Sequence, residues 1–113
     1  MPPTRYLSEL ELHVLLAVSA LGDDAYGGSV RRDIEARSGR QVWAGPLYAA
    51  LAKLEEQGLL SGTLGDPLPV RGGRSRRYFR LTPVGLRALR DALAMLDRMR
   101  ERTPFAHAPR GAR

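Results

Sequence analysis

Apolar residues along the first third of the chain fall at helical spacing. Leu10, Val14, Val18 and Leu21 recur every three or four residues, and Leu7, Leu12, Leu15 and Leu16 widen the stripe. Ser8 and Glu11 have the spacing of a capping box, so the first helix starts after Ser8 and ends at Gly22-Asp23-Asp24. A helix apolar around so much of its circumference should be covered on two sides. A second helix is expected over residues 26–38, with Val30, Ile34 and Ala36 inward, Asp24 or Ser29 as cap and Gly39 at its end. The third, over residues 45–57, has Pro46 in its first turn, an inward stripe of Leu47, Leu51 and Leu54 thickened by Ala50, and Gly58 as terminator.

The period then changes. Residues 59–64 and 75–81 read as short strands, separated by a Gly- and Pro-rich stretch that cannot be helical. In the second strand Arg77, Phe79 and Leu81 share one face, and Arg76, Tyr78 and Arg80 the other. Thr82 as N-cap and Pro83 after it open a last helix, whose stripe is Leu86, Leu89, Leu93, Leu96 and Met99. Residues 103–113 have no periodicity and are expected to be a flexible tail. The fold class is mainly α with a small β-hairpin, a winged helix-turn-helix of order α-α-α-β-β-α. Residues 1–81 form the winged-helix domain, 82–102 a C-terminal dimerisation helix and 103–113 the tail.

Charge sharpens this picture. Residues 1–69 carry six Lys/Arg against nine Asp/Glu, a net of −3, whereas residues 70–113 carry twelve Arg against three acids, a net of +9. Positive charge concentrated in this way suits a polyanion partner, although a basic surface also serves solubility. A chain of 113 residues fits one domain, and a domain of this size gains by burying surface in a dimer. With no cysteine there is neither disulfide nor thiolate metal site. No apolar run approaches the ~20 residues of a membrane span, and Glu9, Glu11 and His13 follow too soon for a signal peptide. The expected location is the cytoplasm. His13 lies in an apolar helix, His107 in the tail, and Gly72-Gly73 lacks the strand-to-helix setting of a phosphate loop, so an enzyme is not expected and no cofactor or metal is called for.

A winged helix places the second of two angled helices in the major groove, while its hairpin reaches the neighbouring backbone or minor groove. With the leucines of residues 45–57 turned inward, Pro46, Tyr48, Ala49, Ala52, Lys53 and Glu56 face out. Tyr48 and Lys53 can reach phosphates, but no outward Arg, Asn or Gln stands in the first turns for a bidentate base contact. Backbone contacts and DNA shape should therefore carry much of the recognition. Arg71, Arg74, Arg76, Arg77 and Arg80 fall within ten residues free of acid, a basic wing; Arg77 shares the face of Phe79 and Leu81, which also admits a structural role.

Tyr26-Gly27, the run from Gly45-Pro46-Leu47-Tyr48 to Gly58-Leu59-Leu60, and the run from Gly73-Arg74-Ser75 to Thr82-Pro83-Val84-Gly85 together resemble the PadR family of bacterial regulators, over roughly residues 8–96. The short last helix is similar to that of the family's smaller branch. The resemblance implies a homodimer on a double-stranded DNA operator, closed largely by the last helix, that represses a promoter until a signal releases it. On this reading Tyr26, Gly45, Pro46, Tyr48, Ala49, Lys53, Arg71, Arg74 and Arg76 meet DNA, and Leu10 and Val14 join Leu86, Leu89, Leu93, Leu96 and Met99 in the dimer seam. Pro46 stands where the family usually has Ser or Thr, which removes a hydroxyl able to cap the helix and touch phosphate. Some relatives form a drug pocket with an aromatic of the last helix; no Trp, Tyr or Phe occurs between Leu81 and Pro104, and any effector stays unknown. Trp43 is expected to pack against wing or core rather than to serve as a ligand platform. The competing reading is a winged-helix module for protein or RNA partners without promoter specificity.

Overall fold

A computed structural model describes residues 6–67, 69 and 75–104. The elements are α1 (Glu9–Leu21), a 3-10 turn (Gly22–Asp24), α2 (Gly27–Ser38), α3 (Ala44–Glu56), β1 (Leu60–Pro67), β2 (Ser75–Leu81) and α4 (Pro83–Arg100). Three helices, an antiparallel hairpin and a fourth helix make the winged-helix order that the periodicities imply. The tail expected from residue 103 falls, from 105 onward, outside the described residues, as do Arg71 and Arg74.

The capping box of α1 is formed: the Glu11 amide donates to Ser8 Oγ at 3.1 Å and the Ser8 amide to Glu11 Oε1 at 2.9 Å. Helix α1 is the centre of the molecule, in contact with α2, α3, β2 and α4. That central place explains its wide apolar surface, and it corrects one expectation. Val14 is fully buried in the chain's own core with Leu15, Ala17 and Val18, so it has no surface to offer a dimer seam. The leucines of α1 left half-buried are Leu10, Leu12, Leu16 and Leu21.

At the start of α2 it is Ser29, not the Asp24 side chain, that closes the turn. Its hydroxyl oxygen accepts from the Tyr26 amide at 2.9 Å and donates to the Asp24 carbonyl. Val30 and Ile34 face the core, but Ala36 is exposed, because it lies two residues past Ile34 and so turns away from that face. Gly39 ends α2 at φ 71° and Gly58 follows α3 at φ 79°, both in the left-handed region open to glycine.

Helix α3 buries Leu47, Ala50, Leu51 and Leu54. The hairpin runs in register from Leu60↔Leu81 to Leu64↔Arg77 and, after a break, pairs Pro67 with Ser75. Strand β1 thus continues three residues beyond the expected end at 64. A two-stranded ribbon leaves the outer edge of β1 unpaired, where a proline without an N–H and an irregular register are tolerated. The free edge of β2 is partly taken: the Phe79 amide donates to the Ala25 carbonyl at 2.8 Å, and Tyr26 bridges Tyr78.

Thr82 caps α4, accepting from the Gly85 amide at 2.9 Å and donating to the Gly58 carbonyl at 2.6 Å. Gly85 and Leu89 are buried and Ala88 half-buried against the body. Leu89 therefore belongs to the chain's own core rather than to a free seam. Leu86, Leu93, Leu96 and Met99 remain exposed.

Candidate nucleic-acid interface

The exposed side of α3 starts at its N-terminus with Gly45 and Pro46 and continues through Tyr48, Ala49 and Ala52. These are mostly small residues, so a duplex can approach the helix backbone closely. Nothing lies within 4 Å of the position a Gly45 side chain would occupy. Tyr48, 55 % exposed, leans over the start of α2: a methyl built on Gly27 would stand 2.5 Å from its hydroxyl oxygen. The Tyr-Gly pair at the head of α2 and the tyrosine of α3 therefore depend on each other. Glycine at 27 is the space in which Tyr48 lies.

Tyr26, next to that glycine, gathers the basic residues. Its hydroxyl accepts from Arg32 at 2.7 Å, the Arg76 guanidinium lies 4.1 Å from its ring centroid, and the Tyr78 ring meets it edge-on at 5.6 Å. Cation–π contact fixes a guanidinium by its face, and a hydrogen bond to Tyr78 holds the Arg76 group further, so only its remaining N–H groups can donate outward. Two arginines from α2 and the wing are thus held beside the tyrosine of α3 on one surface. Nothing local in the sequence marks Arg32 as part of this surface. The one available signal was its spacing of six from Tyr26, too long for neighbours on one helix face.

Lys53 goes elsewhere. Its Nζ lies 3.2 Å from Glu11 Oε2, whose side chain is 6 % exposed. Drawing Lys53 to a phosphate would take a cation away from an almost buried carboxylate, a cost that holds it on α1. Arg77 is also engaged, through a two-pronged pair with Glu55, and Arg80 meets Asp23 at the surface. Of the residues expected to meet DNA, Tyr26, Tyr48 and Arg76 gather where α2, α3 and the wing meet, Gly45 and Ala49 are exposed on α3, and Pro46 stands at the α1 side of its first turn.

Trp43 departs from expectation. It is the N-cap residue of α3, 64 % exposed, and packs neither into the core nor beneath the wing. With Leu10, Ile34, Val42 and Pro46 it lines a shallow hollow of about 180 Å³ between α1, α2 and the entry to α3. The loop before α3 turns it outward while Val42, one residue earlier, takes the buried place.

Among the described residues no group of His, Cys, Asp or Glu is arranged to hold a metal, and no helix is long and apolar enough to cross a membrane. Residues 14–91 match the transcriptional regulator PadR-like family. A PadR family transcriptional regulator from Eggerthella lenta is 34% identical, with 80% of each chain covered and a TM-score of 0.63. RosR of H. salinarum is 26% identical over 83% of this chain and 77% of its own, with a TM-score of 0.64. A PadR family transcription regulator from Clostridium difficile, 20% identical over 83% of this chain and 93% of its own, shares the fold at a TM-score of 0.67. Among curated proteins none matches the chain.

Proposed function

The chain belongs to the PadR-like family of transcriptional regulators, a DNA-binding family rather than one of enzymes, and from that premise we propose that it is a cytoplasmic repressor. It binds promoter DNA as a homodimer and is released by an effector. The observation that carries the DNA-binding surface is the convergence of Tyr48, Tyr26, Arg32 and Arg76 beside the exposed face of α3. Helix α3 enters the major groove with Gly45, Pro46 and Ala49 against base edges and sugars. Tyr48, Arg32 and Arg76 hold the adjacent phosphates. Because α3 offers no bidentate base reader, most discrimination comes from DNA shape. The second subunit is held by the outer α4 stripe, with Leu10 as the contribution of α1.

The duplex upstream of the chain's own coding sequence should bind far better than random duplex at physiological salt, in a fluorescence anisotropy titration. Equal affinity for the two would favour a module for other partners. Arg76→Ala should weaken both duplexes and flatten the plot of log K against log salt by about 0.9, the loss of one phosphate contact. An unchanged slope would remove Arg76 from the interface.

Gly27→Ala tests the other half of the surface. The added methyl must push the Tyr48 ring off α2, and affinity should fall about three- to tenfold, the scale of one hydrogen bond. Tyr48→Phe should fall as far, and adding it to Gly27→Ala should cost little more.

A further inference from the structure

The wing is a two-stranded ribbon, and such a ribbon is marginal unless something braces it. Phe79 fixes its base in the core, opposite Gly62 in the register. Farther out the apolar support ends: Leu64, opposite Arg77, is 68 % exposed. At that height the ribbon meets α3 at Glu55, which also accepts a hydrogen bond from the Gly62 backbone. The Arg77 guanidinium reaches across 22 residues of sequence to Glu55 on the last turn of α3, with Nε donating to Oε1 at 3.0 Å and a second nitrogen donating to Oε2. Gly62 on the neighbouring strand leaves the room. A methyl there would lie 2.7 Å from Arg77 Nε and 2.9 Å from Glu55 Oε2.

We propose that the Glu55–Arg77 pair, in the space Gly62 leaves for it, is a strut that sets the angle of the wing against α3 and so places Arg76 on the duplex. The proposal rests on the DNA-binding reading above. Stability alone is a poor account of the pair, since both partners are partly exposed and an exposed ion pair contributes little. A two-pronged guanidinium–carboxylate contact contributes direction instead, because both N–H···O bonds hold only in one plane. Arg77, hydrogen-bonded to Glu55, keeps that carboxyl below the usual carboxylate range, so the strut persists across neutral pH. On the opposite face of β2, Arg76 on Tyr26 ties the ribbon to α2. Attached on both faces, the wing is fixed between the two helices of the helix-turn-helix.

Gly62→Ala is the test, because it changes no charge and the atoms it displaces are the ends of flexible side chains, so the fold survives. Affinity for the upstream duplex should drop about three- to tenfold, the cost of re-ordering a loosened element on binding. The salt slope should stay that of the wild type, because no phosphate contact is lost, in contrast to Arg76→Ala. In the DNA-free protein the Glu55 carboxyl should titrate upward by carbon NMR, and the β1 and β2 amides should exchange faster. If the Glu55 titration shifts while affinity stays within about twofold of wild type, the strut does not place the wing. Tighter binding with a steeper slope would instead make Arg77 a phosphate ligand that Glu55 withholds. If the pair survives Gly62→Ala, Arg77→Lys, which keeps the charge but loses the fork, is read by the same outcomes. A wild-type protein that does not prefer its upstream duplex counts against the functional reading alone; titration and amide exchange still judge the strut.

Discussion

Gly85→Ala is expected to destabilise the protein by about 3 kcal/mol or more, at the upper end of overpacking effects. Gly85 is the third residue of α4, and a methyl there would stand 1.9 Å from the Leu59 carbonyl oxygen and 2.9 Å from its carbon. Neither atom can step aside. The Leu59 carbonyl accepts from the Thr82 amide at 3.1 Å and from the Thr82 hydroxyl at 3.2 Å, and Thr82 caps α4. Moving α4 outward by the required distance would break that cap and pull Leu89 from the core. In a domain of this size the loss should lower the melting temperature by roughly 10–20 °C, measured by calorimetry or circular dichroism. Gly45→Ala is the comparison, since that position is helical and open and should tolerate the methyl without loss. Equal melting points for the two variants would mean that α4 is not seated on Leu59 as described.

The second large effect belongs to the outer face of α4. Leu86, Leu93, Leu96 and Met99 are exposed over a helix of eighteen residues, about 27 Å long, whose last buried side chain is Leu89. Half of an amphipathic helix thus extends past the body with its apolar stripe uncovered, a surface that calls for a partner. Leu93→Glu should give monomers in light scattering at micromolar concentration, because a symmetric seam would bury the new carboxylate twice, each without a partner. Affinity for the upstream duplex should fall about a hundredfold or more, as two linked half-site contacts become one. Ala94→Glu, one residue on and turned off the stripe, should remain dimeric. A wild-type protein that is monomeric at the same concentration would overturn the dimer.

The fold was legible because its elements announce themselves locally. The Ser8–Glu11 box, Pro83 after Thr82, and Gly39 and Gly58 as terminators are all short-range signals, and each stands where it was expected. The site was legible only in part, because side-chain partnerships depend on residues far apart in sequence. Nothing near Lys53 says that it turns to Glu11, 42 positions earlier, and nothing near Arg32 points to the stack of Arg76 on Tyr26. The same limit misplaced Val14 and Leu89. A helical stripe tells which face is apolar, not whether the chain's own core or a second copy covers it. Trp43 departs from expectation for a related reason: the loop before α3 presents Val42 and Trp43 in succession, and composition does not say which of the two turns inward.

That outward turn gives the protein a property unrelated to packing. Trp43 is the only tryptophan among the 113 residues, and it sits in water at the threshold of α3. Selective excitation of indole therefore reports on one site, with no second fluorophore of its kind to average against. The emission is a native, label-free optical signal from the end of the helix proposed to enter the groove, available in the unmodified chain and in every variant above.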